Sequence, residues 1–107
     1  MDSFDRRKEG FERKFAHDEE LKFKATARRN RLLGRWAAEK LGLTGAEAEA
    51  YARDVVNADF AGPGDQDVFT KLRSDFDARK VTVSDHQIRR TMEEMLAQAV
   101  EQIQAER

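Results

Sequence analysis

The chain has 107 residues, enough for one domain, and 38% of them are charged against ~25% in a typical globular protein. Twenty basic and 21 acidic side chains nearly cancel, which argues against a bulk nucleic-acid or membrane-surface binder. The absence of cysteine excludes disulfide frameworks, thiolate metal sites and cysteine nucleophiles, and fits a reducing compartment.

No run approaches the ~18 apolar residues of a membrane span. The acid-rich start MDSFDRRKEGF does not read as an export signal, so a cytoplasmic protein is expected. The charge is uneven: residues 1–35 carry 11 basic and 7 acidic side chains, residues 36–107 carry 9 and 14. Such a chain is suited to meeting a partner with one end.

Residues 1–20 form the first unit. At 100° per residue, Phe4, Phe11 and Phe15 fall within about 40° of one another, so the segment can form an amphipathic helix with a phenylalanine stripe. Gly10 interrupts it at a cost of ~1 kcal/mol, and an isolated helix of this length is partly melted in water. One reading is an extra turn that packs its phenylalanines on the remainder of the chain. The favoured reading is a mobile, partly helical segment that folds on a partner. Its aromatics would then be buried while Arg6, Arg7, Lys8, Arg13 and Lys14 meet carboxylates.

Residues 21–107 read as all-α. They are rich in Ala, Glu, Arg, Lys and Leu, contain one proline, and show no convincing strand. Over about 21–41, Leu21, Ala25, Leu32, Leu33, Trp36, Ala37 and Leu41 recur at helical spacing, and Gly42 closes the helix in the left-handed region. A second helix over about 44–60 opens with a capping box at Thr44 and Glu47 and a staple from Leu43 to Ala48. Its expected core face is Ala48, Tyr51, Ala52, Val55, Val56 and Phe60.

Gly62-Pro63-Gly64 then breaks the chain. Asp65 or Asp67 starts a third helix, over about 65–80, with Val68, Phe69, Leu72 and Phe76 inward. After the connector Val81-Thr82-Val83, a second capping box at Ser84 and Gln87 starts a helix over about 84–105. Its stripe is Ile88, Met92, Met95, Leu96, Ala99 and Ile103. Four helices with short connections predict an antiparallel four-helix bundle.

Between Lys22 and Arg35 there are six basic residues and no acid, and Lys24, Arg28, Arg31 and Arg35 share one helical face. A solvated face is the plain reading. The functional one is a phosphate contact, because arginine forks bind phosphate in bidentate fashion, but no phosphate-cradling glycine motif supports it. His17 and His86 have no partner at metal-ligand spacing. The pairs Asp75/Asp77 and Glu93/Glu94 read as solvated charge, and no nucleophile-base order stands out, so no enzyme is expected.

Phe11-Glu12-Arg13-Lys14-Phe15-Ala16-His17-Asp18, Phe23-Lys24-Ala25, Ala27-Arg28-Arg29-Asn30-Arg31-Leu32-Leu33-Gly34, Trp36-Ala37-Ala38, Asp54-Val55-Val56 and Asp59-Phe60 together resemble the zeta subunit family. These are small α-proteobacterial inhibitors of the F-type ATP synthase. The resemblance implies a bundle whose N-terminal segment enters a catalytic α/β interface near the central stalk and blocks hydrolytic rotation. The partners would be the α, β and central-stalk subunits, with the protein peripheral to the inner membrane through them. It also implies weak ADP/ATP binding with no required cofactor. Lys24, Arg28, Arg31 and Arg35 are the candidate contacts here, so a nucleotide-sensing adaptor is the alternative function.

Overall fold

The computed structural model describes residues 19–59 and 65–106. They form four helices: α1 Glu19–Lys40, α2 Gly45–Ala58, α3 Gln66–Ala78 and α4 Asp85–Ala105. The architecture is all-α, and there is no strand among the described residues. Helix α1 is the central element. It packs along α2 and α4, and α3 closes the bundle through narrower contacts with those two.

The helix ends follow local chemistry. Gly42 has φ +78°, and the Leu43 amide donates to the Ala38 carbonyl at 2.9 Å, which satisfies an end carbonyl of α1. The same turn ends α3, where Lys80 takes the left-handed position at φ +58° and the Val81 amide reaches the Phe76 carbonyl at 2.8 Å. At the start of α4, the Ser84 hydroxyl accepts from the Gln87 amide at 3.0 Å.

Two expected caps differ. Thr44 stands at the N-cap of α2, but its side chain makes no capping bond and only its carbonyl accepts from Glu47 and Ala48. Gly45 enters the helix at φ +56°, outside the right-handed region, and the Glu47 amide donates to the Thr44 carbonyl at 3.2 Å rather than to the hydroxyl. Asp65 precedes α3, and its carboxylate also caps nothing, because it is drawn to Arg29.

The main core joins Leu33, Ala37, Ala38 and Leu41 to Tyr51 and Val55, to Val68, Phe69, Leu72 and Phe76, and to Val83, Ile88 and Met92. The Trp36 and Phe76 rings meet edge to face, with centroids 5.8 Å apart. A second, smaller cluster holds Leu21, Ala25 and Ile103, with Val100 against it. Between the two along α1 lie the buried polar residues Arg29 and Asn30. Leu96, expected in the core stripe, lies at its edge and is 39% exposed. Phe60 and the N-terminal phenylalanines lie outside the described residues.

One close approach fixes the α1–α2 pair. A Cβ on Gly34 would stand 2.6 Å from the Ala52 Cα, so only glycine lets the backbones meet there.

Candidate functional site

The candidate contacts of the N-terminal segment, Phe4, Arg6, Arg7, Lys8, Phe11, Arg13, Lys14 and Phe15, lie outside the described residues. The segment's root is described. It is the first turns of α1, which begin at Glu19 and Glu20.

Lys24, Arg28, Arg31 and Arg35 lie along α1, spread over about 16 Å of helix at 1.5 Å per residue. They do not face one common site, because Lys24 and Arg28 act on Glu106 while Arg35 pairs with Glu49. Arg28 turns to the end of α4 and donates two bonds to the Glu106 carboxylate, at 2.5 and 3.1 Å. Arg35 turns to α2 and meets Glu49 at 3.2 and 3.4 Å. Lys24 and Arg31 are exposed. Nucleotide phosphate on this face would compete with two carboxylates already paired.

Electrostatics follow that geometry. The Arg28 hydrogen bonds, with the charges of Arg28 and Lys24, hold the Glu106 carboxyl below its ordinary value against the opposing effect of desolvation. Glu106 also stands at the negative end of the α4 dipole, where an unpaired carboxylate is disfavoured. The lowered value means that this pairing stabilises the fold above the ordinary carboxylate range and is lost as pH falls through the folded-state value.

Arg29 was read from sequence as one of the basic run, and it is buried instead. Its Nε donates to Asn30 Oδ1 at 2.9 Å and one terminal nitrogen meets Asp65 Oδ1 at 2.9 Å. The other terminal nitrogen is buried without an acceptor among the described residues. A guanidinium held this way ties α1 to the start of α3 and is costly to disturb.

Asp75 was expected to be solvated, but it is half-buried and accepts from the Tyr51 hydroxyl at 2.7 Å while pairing with Lys71 at 3.1 Å. Burial first, then the Asp75 hydrogen bond, pushes the Tyr51 phenol far above its ordinary range. Arg73 bridges Asp77, Asp85 and the Val83 carbonyl, and so binds the end of α3 to the start of α4. These polar groups serve the fold, because each ties one helix to the next.

A shallow depression opens between α1 and the end of α2, lined by Phe23, Thr26, Ala27, Asn30, Val56 and Asp59. None of the four basic-face residues lines it. Among the described residues no group of three or more His, Asp or Glu side chains could hold a metal ion. His86 is exposed in the first turn of α4. The described polar groups of Arg29, Tyr51, Arg73 and Asp75 are interhelical ties.

The family described as ATPase inhibitor subunit zeta matches residues 1–102, nearly the whole chain and all of the N-terminal segment. The chain belongs to the ATPase inhibitor subunit zeta family. Membership makes it a regulatory protein whose partner is the ATP synthase. The chain is also similar to a protein whose structure was solved in solution by NMR. The two share 42% identity and a TM-score of 0.72, over 81% of this chain and 99% of that one. No curated protein matches the chain. Among the described residues no helix is long and apolar enough to cross a membrane.

Proposed function

We propose that the protein inhibits ATP hydrolysis by the F-type ATP synthase by folding its N-terminal segment into a catalytic α/β interface near the central stalk. The observation that carries this reading is the match to ATPase inhibitor subunit zeta over residues 1–102, which includes the segment with Phe4, Phe11 and Phe15. Seated there, the segment blocks rotation in the hydrolytic direction.

The physics is coupled folding. Ordering each residue costs about 1–2 kcal/mol of backbone entropy. Burying each phenylalanine returns roughly 1.5–3 kcal/mol. Pairing of Arg6, Arg7, Lys8, Arg13 and Lys14 with partner carboxylates adds charge-assisted hydrogen bonds. The bundle acts as the handle that presents the segment, in the cytoplasm and peripheral to the membrane.

Phe11→Ala and Phe15→Ala test this in a hydrolysis assay with the cognate catalytic sector. Each is expected to abolish inhibition and leave the melting temperature within a degree or two. Melting of the bundle by either change would instead make these residues core and remove the basis of the reading. The nucleotide-sensing alternative through Lys24, Arg28, Arg31 and Arg35 draws no support from the Arg28–Glu106 and Arg35–Glu49 pairs.

A further inference from the structure

The charge asymmetry of the chain does not come from its first 18 residues. Residues 1–18 carry five basic and five acidic side chains, whereas residues 19–35 carry six and two. The basic excess therefore belongs to α1. Of those six cations, Arg29 is buried and turned to Asp65. Lys24, Arg28, Arg31 and Arg35 form one row, opposite the fully enclosed Leu33 and Ala37 at 100° per residue. Two members of the row show what it holds. Arg28 grips the Glu106 carboxylate at the end of α4 and Arg35 grips Glu49 of α2, each through two nitrogens. Arg31 stands between them, three residues after Arg28 and four before Arg35. It is exposed, as is Lys24, and neither pairs with a carboxylate among the described residues.

We propose that the row Lys24, Arg28, Arg31 and Arg35 is a second contact surface for the synthase, docking a line of carboxylates on an acidic protein surface of the catalytic sector. This inference rests on the inhibitory reading above. A row about 16 Å long suits acidic side chains on successive turns of a partner helix better than the compact phosphates of one nucleotide. Arg31 offers the same bidentate fork that Arg28 and Arg35 already use on carboxylates. The remainder of the chain sets the orientation. Residues 36–107 carry 9 basic and 14 acidic side chains, so an acidic surface attracts α1 and repels the other helices. The N-terminal segment is joined directly to α1, so an encounter through the row raises the segment's effective concentration at the synthase.

The test measures how fast the full chain inhibits ATP hydrolysis by the cognate catalytic sector, as a function of salt. Lys24→Glu with Arg31→Glu reverses two exposed charges and should keep the thermal melt of the bundle. Onset of inhibition should slow about tenfold at low salt, the lower end of what electrostatic steering supplies. The difference should shrink as salt rises from about 0.01 M to 0.15 M, because the screening length falls from about 30 Å to about 8 Å. Lys80→Glu with Arg90→Glu changes the net charge equally from beyond α3 and from α4, and should leave the rate within about twofold. Glu49→Gln frees Arg35 for the partner and should speed onset about twofold, which a pair serving only the fold would not do.

An onset rate unaltered by the α1 reversals would overturn the proposal and leave the inhibitory reading intact. With that rate unaltered, loss of binding to phosphatidylglycerol vesicles would give the row to a lipid surface, and loss of a dimer in sedimentation would give it to a second copy. Equal slowing by the two double reversals would trace the effect to net charge and overturn the proposal as well. Should the α1 reversals melt the bundle, the Glu49→Gln rate decides, and no increase there overturns it. Absence of inhibition by the unchanged chain would overturn the inhibitory reading beneath.

Discussion

The two halves of α1 show how unevenly one helix can be held. From Leu33 to Leu41 it faces α2, α3 and α4 at once, and Leu33, Ala37 and Ala38 are fully enclosed. From Leu21 to Arg28 it meets α4 through one small cluster and one ion pair, with Phe23, Thr26 and Ala27 beside the end of α2. Buried apolar area sets local stability, so opening free energies should fall from the first region to the second. A protein that must present one end to a partner can place its rigidity and its adaptability on a single helix in this way.

The sharpest way to separate the two regions is to hollow out each. Phe76→Ala removes a fully buried ring from the main core and should cost about 3–5 kcal/mol, enough to unfold much of the protein in a thermal melt. Gly34→Ala forces a Cβ onto the Ala52 backbone and should cost about 1–3 kcal/mol by parting α1 from α2. Ile103→Ala empties the small cluster. Its effect on the global melt should be only about 1–2 kcal/mol, because the first turns of α1 can open by themselves. A global loss from Ile103→Ala as large as that from Phe76→Ala would erase the distinction.

Alkaline titration probes the main-core side. Tyr51 is the one tyrosine in the chain, so tyrosinate absorbance reports it alone. Its phenol is raised, so its contribution is complete below the unfolded value of about 10 and is lost as pH climbs toward the folded one. Tyrosinate should therefore appear only together with loss of helical circular dichroism. Ionisation near pH ~10 in a still-folded protein would contradict the buried Tyr51–Asp75 bond. The smallest expected change is a gain. Lys80→Gly relieves a left-handed residue at the end of α3 and should add about 1 kcal/mol.

Periodicity carried most of the fold. Leu21, Ala25, Leu33, Ala37 and Leu41 stand at intervals of four or multiples of four, and all are buried. Arg29 occupies the missing place in that series, so its burial was signalled by position and hidden by residue type. Asp75 was illegible for another reason: its tyrosine partner is 24 residues away, and only the packed helices bring them together. Arg28 and Glu106, 78 residues apart, are the extreme case. Thr44 shows the limit of local motifs, since the capping pattern is present but the Glu47 amide bonds the Thr44 carbonyl and not its side chain. The aromatic and basic pattern of residues 1–18 was legible as a pattern, while what it binds is a property of the partner.

The central claim is that inhibition resides in the N-terminal segment and the bundle presents it. The most direct measurement is ATP hydrolysis by the catalytic sector of the cognate F-type synthase, titrated with the full chain and with a version lacking residues 1–19. Inhibition by the full chain and none by the shortened one, with the four helices retained, is the result expected. Equal inhibition by both would move the function onto the bundle and contradict the account.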